Sequence, residues 1–236
     1  MRAAAMPAFT PSLRIEALQV TGARGRVLLT LDRLDLAPGT ALGIRGPSGA
    51  GKSTLLMALA GLAPRMRGRV CWGGQDLAAL PEPARAAFRA AHIGMIFQDF
   101  LLLEELDAAA NAGIAALFAP ARDRARLRAR AAALLDRLGI GEGGAGRRAV
   151  ALMSGGERQR VAVARALAHD PAIVLADEPT ASLDRAAGDR LADALVALTR
   201  PAAGGRARTL VTVSHDPALL ARMDRVLELR DGRLQA

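Results

Sequence analysis

The stretch that most constrains the fold is GPSGAGKST, residues 46–54, because it places three glycines and a lysine between an apolar segment and a helical one. The preceding TALGIR (40–45) has the composition of a strand, and the following KSTLLMALAGL (52–62) spaces its leucines as a helix does. Glycines allow successive backbone N–H groups to turn toward one point, where a Cβ would intrude. A strand, a glycine-rich loop and a helix N-terminus in this order predict a loop that binds phosphate.

Lys52 is the only lysine among 236 residues, and arginine fills every other Lys/Arg position. Lysine presents a compact charge on a flexible stem, whereas arginine presents a wide planar fork. The stretch fits G-x-x-x-x-G-K-[ST], in which the lysine reaches the β- and γ-phosphates of a nucleotide and the next hydroxyl, here Ser53, ligates Mg²⁺. The alternative is a glycine-rich turn with a solvated lysine, which leaves the single lysine unexplained.

The composition is typical of a soluble globular protein, with 51% hydrophobic and 23% charged residues. The longest uncharged runs fall short of the ~20 apolar residues of a membrane span, and the N-terminus lacks the apolar core of a signal peptide. Cys71 is the only cysteine, which excludes an internal disulfide and fits a reducing cytosol. We therefore expect a cytoplasmic protein without direct membrane insertion.

The net charge of +9 raises the question of a nucleic-acid or anionic-membrane partner. The densest basic run, 121–137, carries an arginine at every second position from 122 to 130, which distributes them over two faces of a helix. Aromatic residues, which would stack on bases, make up only 3% of the chain. These features favour a solvated helix over a nucleic-acid-binding stripe, and we expect no nucleic-acid partner.

Strand-like segments alternate with helical ones along the chain, which predicts an α/β fold with a mostly parallel sheet covered on both faces. The predicted strands are 13–20, 27–36, 40–45, 68–72, 93–97, 172–176, 208–214 and 226–229. The predicted helices are 81–90, 107–118, 121–138, 154–169, 183–199, 217–223 and the segment that begins at residue 52.

Residues 99–150 differ from the rest because they are rich in Ala, Leu and Arg and end in the loop GIGEGGAGRR (139–148). We interpret them as a small helical insertion into one domain, whose nucleotide-binding core is formed by 1–98 and 151–236. Within the insertion, Leu101–Leu103 admit two interpretations: core packing, or part of a groove that receives a partner helix.

The segment AIVLADEP, 172–179, is an apolar strand that ends in two carboxylates. Doubly wound sheets bind ligands at the carboxyl edge of their strands. Asp177 there suits a contact to Mg²⁺, and Glu178 suits the orientation and deprotonation of a water molecule. Solvation of a strand end is the alternative, and the upstream phosphate-binding loop favours the functional interpretation.

The segment MSGGERQR, 153–160, begins with Ser154 and Glu157 at the spacing of a helix capping box. Gly155 and Gly156 follow the cap, although each glycine weakens the first turn of a helix by ~1 kcal/mol relative to alanine. Two glycines at a helix N-terminus indicate a close approach from outside, and such a terminus attracts phosphate. The chain therefore carries a second candidate phosphate site.

Taken together, these motifs resemble those of the ATP-binding-cassette (ABC) ATPases, in the order and spacing of that family. GPSGAGKST is similar to the Walker A loop and IVLADE (173–178) to the Walker B strand. MSGGERQR is similar to the signature, with Met153 in place of the usual leucine. Gln98 in MIFQDF matches the glutamine loop, SLD (182–184) the D-loop, and His215 in VSHD the switch histidine.

The resemblance implies a P-loop NTPase (RecA-like) fold with an antiparallel β subdomain and an inserted α-helical subdomain. It also implies a head-to-tail dimer, either of two copies or with a similar cassette, in which each ATP lies between the Walker A loop of one chain and the signature of the other. Its implied phosphate-binding residues are Gly46, Pro47, Ser48, Gly49, Ala50, Gly51, Lys52, Ser53 and Thr54 of one chain, and Ser154, Gly155 and Gly156 of the other.

The same resemblance implies the catalytic roles. Glu178 would be the general base, and His215 would hold the γ-phosphate in line with it. Lys52 would contact the phosphates, and Gln98 would contact Mg²⁺ or the attacking water. Asp184 would reach across the dimer interface. Mg²⁺ would be held by Ser53, Gln98 and Asp177.

The implied function is the ATPase subunit of a membrane transporter, peripheral on the inner face of the membrane through integral permease subunits. LADEPTASLD and the C-terminal segment are similar to the lipoprotein-releasing and macrolide-export type. Two alternatives are a soluble ABC ATPase acting on nucleic acid or ribosomes, and a regulatory module without turnover. The family usually stacks adenine on an aromatic residue, but TGARGRV (21–27) contains none. Arg24 or Arg26 would then stack on the base, and GTP would be accepted as well as ATP.

Overall fold

The computed structural model describes residues 9–141, 146–200 and 207–235. The strands in these ranges are β1 (Leu13–Thr21), β2 (Val27–Leu36), β3 (Ala41–Arg45), β4 (Met66–Trp72), β5 (Gln75–Asp76), β6 (Ile93–Ile96), β7 (Ile173–Asp177), β8 (Thr209–Val213), β9 (Arg225–Arg230) and β10 (Arg233–Leu234). The helices are α1 (Lys52–Leu59), α2 (Glu82–His92), α3 (Ala108–Ala112), α4 (Ala115–Phe118), α5 (Ala121–Arg137), α6 (Gly155–Leu167), α7 (Arg185–Ala197) and α8 (Pro217–Leu220).

The strands form two sheets. A six-stranded sheet has the order β10-β9-β3-β8-β7-β6, and every neighbouring pair in it is parallel except β10 with β9. A four-stranded antiparallel sheet has the order β2-β1-β4-β5. The predicted mostly parallel α/β sheet and the antiparallel β subdomain are therefore both confirmed.

The parallel sheet is apolar on both faces because each face is covered. In β7, Ile173 and Leu175 join a core with α1 and the antiparallel sheet, whereas Val174 and Ala176 join a second core with α6 and α7. Successive side chains of a strand point to opposite faces. A strand covered on both sides therefore needs a continuous apolar run, which IVLA supplies.

The helices α3 and α5 pack on a third core, and α6 supplies the side chains opposite them. One face of α6 (Val161, Ala164, Ala168) belongs to this core, while another (Val163, Ala166, Leu167) belongs to the sheet core. Helix α6 thus contributes side chains both to the sheet core and to the core of the helical insertion. The division of the chain at residues 99 and 150 stays a prediction.

Two details differ from the sequence prediction. The predicted helix 107–118 is two helices, because the chain leaves the helical path at Gly113 (φ −88°, ψ 6°) and α4 begins at Ala115. Glycine is a poor helix former, which favours a break at that point. The strand 226–229 is not the last, since β10 follows it. Part of the predicted loop 139–148, namely 142–145, lies outside the described residues, as does the N-terminal segment 1–8.

Asn111 ties the segment after β6 to the helical insertion. Its side chain is fully buried. Its Oδ1 accepts from Leu103 N at 2.8 Å, and its Nδ2 donates to Leu103 O at 2.9 Å, to Asp107 O at 3.1 Å and to Leu106 O at 3.3 Å. The three carbonyls also accept from backbone N–H groups, those of Leu106, Asn111 and Val150, so the side chain of Asn111 adds four hydrogen bonds to those that already shape the loop.

We expect Asn111→Ala to lower the free energy of unfolding by about 3 kcal/mol, because it removes four hydrogen bonds made by a fully buried side chain. Urea titration followed by the emission of Trp72, the only tryptophan and fully buried, measures the change. Ala109→Ser, at an exposed position of the same helix, is the control and should change stability by less than about 0.5 kcal/mol. Equal stability of the two variants would contradict the conclusion that the hydrogen bonds of Asn111 stabilise the loop.

Candidate active site

A cavity of about 570 Å³ lies at the carboxyl edge of the parallel sheet. Four adjacent strands, in the order β3-β8-β7-β6, each deliver a predicted motif to it: the 46–54 loop, His215, the Asp177–Glu178 pair and Gln98. Parallel strands end at one edge, so these distant segments converge there. The lining residues are Ser48, Gly49, Gly51, Lys52, Ser53, Thr54, Gln98, Asp177, Glu178, Ala181, His215 and Asp216.

Two glycines of the loop are required for different reasons. A Cβ on Gly46, which has φ +155°, would lie 2.0 Å from Leu229 O, so the loop can approach β9 only without a side chain there. A Cβ on Gly49, which has φ +77°, would meet no atom within 4 Å. Its conformation is nevertheless left-handed, and glycine adopts it without strain. The loop is therefore anchored at Gly46 and leaves open space beside Gly49.

The ammonium of Lys52 lies inside its own loop. The residue is 9% exposed, and Nζ donates to Gly46 O at 2.8 Å and to Pro47 O at 3.0 Å. Nζ also lies 3.2 Å from His215 Nε2, and since an ammonium only donates, this ring nitrogen is the acceptor. Three donors thus meet three acceptors around one nitrogen, an arrangement that a planar guanidinium does not reproduce.

Glu178 is held by the end of β8. Its backbone N donates to Val213 O at 2.9 Å, and its Oε2 accepts from Ser214 Oγ at 3.1 Å and from His215 N at 3.2 Å. Its Oε1 is buried and has no hydrogen-bond partner among the described residues. One carboxylate oxygen is therefore fixed in position, while the other remains available as an acceptor in the cavity.

The cavity presents the kind of oxygen donors that suit Mg²⁺. Ser53 offers a hydroxyl, Gln98 an amide carbonyl and Asp177 a carboxylate, and all three line the cavity. Among the described residues no group of three or more His, Cys, Asp or Glu side chains is placed to hold a metal ion. Mg²⁺ typically uses one or two carboxylates together with phosphates and waters, so this donor set fits it when a nucleotide completes the site.

A strained turn follows Gln98. Phe100 N donates to Phe97 O at 3.1 Å and Leu101 N to Asp99 O at 2.6 Å, which closes the chain around Gln98. Phe100 (φ +59°) and Leu101 (φ +48°) are both left-handed, which costs roughly 1–2 kcal/mol for each non-glycine residue. The sequence gives no glycine signal for this turn, so pattern analysis did not identify it.

The predicted capping box at the start of α6 is present. Glu157 N donates to Ser154 Oγ at 3.3 Å, and Ser154 N donates to Glu157 Oε2 at 2.8 Å. The hydrogen bond from Ser154 N lowers the pKa of Glu157, and the ion pair with Arg148 lowers it further, against the opposing effect of burial. A fixed carboxylate thus holds the first turn of α6 in place.

Contacts within this chain leave room for a side chain at Gly155 but little room at Gly156. A Cβ on Gly155 would lie 3.6 Å from Ser182 Cβ, an ordinary contact, whereas one on Gly156 would lie 3.3 Å from Leu183 Cδ2 and from Ser182 O. Of the described residues that were predicted to contact nucleotide, those outside the cavity lining are Gly46, Pro47 and Ala50 of the loop, and Ser154, Gly155, Gly156 and Asp184.

Asp184 acts as the N-cap of α7, where its Oδ1 accepts from Ala187 N at 2.9 Å. Just before it, Thr180 Oγ1 donates to Asp216 Oδ2 at 3.1 Å. Asp216 also follows His215 and lines the cavity. Thr180, Ser214 and Asp216 were not identified from the sequence, because hydroxyls and carboxylates next to a motif carry no pattern of their own.

Comparison with known proteins decides the family. The sequence model of the family described as ABC transporter matches residues 29–181. This chain belongs to the ABC transporter family. The predicted P-loop NTPase fold and the assignment as an ATP-binding-cassette ATPase are both confirmed. In the described ranges no helix has the length and apolar character needed to cross a membrane.

Three curated relatives illustrate the similarity. The chain is 44% identical over 208 residues to the uncharacterized ABC transporter ATP-binding protein YbbA of Escherichia coli (strain K12), covering 88% of each sequence. It is 42% identical to the lipoprotein-releasing system ATP-binding protein LolD of Shewanella sp. (strain MR-7), covering 89% of the chain and 88% of LolD. It is 44% identical to the macrolide export ATP-binding/permease protein MacB of Sodalis glossinidius (strain morsitans), covering 86% of the chain but 30% of MacB.

The fold is also similar to solved cassettes. A dimeric structure of the ATP-binding cassette MJ0796 in a post-hydrolysis state, bound to ADP and Pi, has a TM-score of 0.81 and 29% identity. That match covers 95% of this chain and 97% of the other. A bacterial Atm1-family ABC exporter with ATP bound has a TM-score of 0.79 and 28% identity, covering 100% of this chain and 41% of the other.

We expect Lys52→Arg to lower ATP hydrolysis by at least about 100-fold, because the planar guanidinium does not fit the loop that surrounds Nζ. Phosphate release measures turnover, and binding of a fluorescent ATP analogue measures affinity. Arg225→Lys, the reverse exchange at an exposed position, is the matched control and should leave both unchanged. Wild-type turnover in Lys52→Arg would refute this explanation of the single lysine.

Proposed function

We propose that this chain is the ATP-hydrolysing subunit of an exporter of the lipoprotein-releasing or macrolide-export type, driving permease subunits in the membrane. The catalytic part of this proposal rests on one observation: residues of the 46–54 loop, Glu178 and His215 line the same cavity. The exporter type rests on the similarity to LolD and MacB. The substrate class that follows is lipophilic, either a lipoprotein or a hydrophobic small molecule.

The hydrolytic step follows from the partners of Glu178. Its Oε1, which has no hydrogen-bond partner among the described residues and lies 3.5 Å from His215 Nε2, would accept a proton from the attacking water. The hydrogen bonds to Oε2 keep the carboxylate in place. The arriving phosphate would draw Lys52 Nζ away from the carbonyls of the loop and from His215 Nε2. The His215 tautomer that carries its proton on Nε2 would then donate to the γ-phosphate. Mg²⁺, held by Ser53, Gln98 and Asp177, would neutralise phosphate charge.

A second cassette would complete the site. Gly155 weakens the first turn of α6 although this chain has room for a Cβ there, which supports a close approach by an external group. In the proposed head-to-tail dimer, Ser154, Gly155 and Gly156 of one chain contact the γ-phosphate bound by the 46–54 loop of the other, and Asp184 reaches across the interface. The solved MJ0796 structures are described as dimeric, in agreement with this proposal.

The described contacts count against a nucleic-acid function. Arginines of the basic run are engaged by their own chain: Arg126 lies 3.7 Å from Asp123, Arg124 donates to Ala119 O, and Arg130 pairs with Asp170 at 2.6 Å. A stripe that binds phosphates needs free guanidinium groups on one face. A regulatory module without turnover is disfavoured because Glu178 and His215 both line the cavity.

The proposed permease contact is an apolar groove next to the Gln98 turn. A cavity of about 420 Å³ there is lined mainly by apolar side chains, among them Leu62, Met95 and Phe97. Arg89, Arg165 and His169 also line it. Leu101 is 57% exposed and Leu103 45%, whereas Leu102 packs on the core of the insertion. Of the two interpretations of Leu101–Leu103, core packing thus applies to Leu102 alone. A permease docked here would keep the cassette peripheral on the inner face of the membrane.

We also propose that base selectivity is weak, with GTP accepted beside ATP. The 23–25 turn that precedes β2 contains no aromatic side chain, and Arg24 within it is exposed. A guanidinium plane stacks on purines generally, without reading their edges.

We expect Glu178→Gln to bind ATP and Mg²⁺ as a stable dimer, because the amide does not accept the proton of water and the closed state persists. Its phosphate release should fall by about 10²–10⁴-fold. Size-exclusion chromatography with light scattering measures the dimer, and Glu104→Gln, at an exposed position, should stay monomeric under the same conditions.

The variant Gly155→Ala, placed in the Glu178→Gln background, tests whether α6 contacts the nucleotide of the other chain. The alanine should stabilise the free chain by up to about 1 kcal/mol, because it favours the helix. It should also prevent the ATP-dependent dimer, because its methyl group obstructs the approach of the phosphate. A dimer that forms unchanged, or the absence of any dimer in Glu178→Gln alone, would contradict the head-to-tail arrangement.

The permease assignment is tested by affinity purification of the tagged chain from detergent-solubilised membranes. We expect an integral membrane protein to co-purify with the wild type, and we expect Leu101→Asp to reduce its recovery at least about tenfold, because a carboxylate would replace an apolar side chain in the proposed contact with the permease. Leu152→Asp, at another exposed apolar position, is the control. Recovery of ribosomes or nucleic acid instead would favour the alternative function.

A further inference from the structure

Arg165, near the C-terminal end of α6, holds the strained turn that follows Gln98. Its Nη2 donates to Phe100 O at 2.5 Å, and its Nη1 donates to Leu101 O. These are the two consecutive residues with left-handed backbone conformation, at φ +59° and +48°. The two donors of one planar guanidinium thus bind two adjacent carbonyls, a geometry that a single ammonium does not provide.

Arg165 has no carboxylate partner among the described residues. Burial alone lowers the pKa of its guanidinium, with no opposing contribution from an acidic side chain. Two other arginines nearby, Arg130 and Arg208, share the carboxylate of Asp170 instead. The charge of Arg165 is therefore committed to main-chain carbonyls, whose orientation depends on the left-handed turn.

Helix α6 is a rigid support for this contact. It is packed on the sheet core through Val163 and Leu167 and on the insertion core through Val161 and Ala164. Its N-terminus is the Ser154–Gly156 turn, and its C-terminal part carries Arg165. One helix therefore connects the half-buried glycines of the Ser154–Gly156 turn to the turn that contains Gln98.

We propose that Arg165 is a positioning residue that keeps Gln98 in the nucleotide cavity by fixing the backbone of Phe100 and Leu101. This inference rests on the proposed role of Gln98 toward Mg²⁺ and the attacking water. Without Arg165 the two residues would relax toward right-handed conformations, and the turn that presents Gln98 would open. A displacement of α6, such as one produced when its N-terminus meets the nucleotide of a second chain, would be transmitted to Gln98 through the same contact.

A double-mutant cycle of Arg165→Gln and Gln98→Ala tests the proposal in the full chain. For each variant, steady-state phosphate release gives kcat, KM for ATP and the Mg²⁺ concentration at half-maximal rate. Equilibrium binding of a fluorescent ATP analogue in EDTA gives affinity without metal. Thermal unfolding followed by Trp72 emission identifies variants that are merely destabilised. Arg122→Gln, whose side chain is 85% exposed, is the matched control.

We expect Arg165→Gln and Gln98→Ala each to lower kcat and to raise the half-maximal Mg²⁺ concentration by about tenfold, with metal-free affinity unchanged. In the Gln98→Ala background, Arg165→Gln should have less than about a twofold further effect on either quantity, because both substitutions remove the same interaction. Arg165→Lys should be intermediate, since its ammonium reaches one carbonyl.

Glycine provides a rescue that a purely structural role does not predict. Phe100→Gly and Leu101→Gly introduced together relieve the left-handed strain, so they should return the Mg²⁺ requirement of Arg165→Gln toward wild type. If Arg165→Gln does not fold, Arg165→Lys with the same rescue decides the question.

The outcomes separate this inference from the proposed function. Suppose that Gln98→Ala raises the Mg²⁺ requirement but that the fold-changes of the two substitutions multiply in the double variant. Arg165 then does not act through Gln98, and the inference is overturned. If Arg165→Gln lowers only thermal stability, it is overturned as well. If Gln98→Ala itself leaves the Mg²⁺ requirement unchanged, the proposed role of Gln98 fails, and the inference fails with it.

Discussion

The parallel pairing of four adjacent strands is the constraint on which the rest of the structure depends. Because β3, β8, β7 and β6 run in the same direction, the segments that follow them open at one edge of the sheet. Both faces of these strands are buried, so a one-residue shift of register would turn apolar side chains toward the wrong core. The packing of the two cores thus fixes the relative positions of the site residues.

At that edge, polar groups are held in fixed positions, although not all of them have a hydrogen-bond partner. Lys52 Nζ is bound by carbonyls of its own loop and by His215, whereas Oε1 of Glu178 lies 3.5 Å from His215 Nε2 and has no hydrogen-bond partner in the described part of the chain. A buried oxygen without a hydrogen bond is unfavourable for stability. Its persistence at the centre of the cavity is typical of a site whose hydrogen bonds are completed by a substrate.

Helix α6 links that cavity to surfaces that lie outside it. Its capped N-terminus carries the half-buried glycine turn, its two faces pack on the sheet and on the insertion, and Arg165 near its other end holds the backbone after Gln98. Packed elements move as bodies rather than bending locally. A single helix with these three attachments therefore provides a direct physical connection between the Ser154–Gly156 turn, the Gln98 turn and the groove beside it.

The sequence by itself determined the features that depend on neighbouring residues: the 46–54 loop, the apolar strand before Asp177 and Glu178, and the Ser154–Glu157 capping box. It also determined the family, because these motifs occur in a fixed order. Only the tertiary structure decided that Lys52 meets His215, 163 positions away, and that Arg165 binds Phe100, 65 positions away. It likewise decided the break at Gly113 and the left-handed turn at Phe100 and Leu101. The physical reason is that capping and periodicity arise from hydrogen bonds and packing within a few residues, whereas these contacts exist only once the sheet and α6 have brought distant segments together.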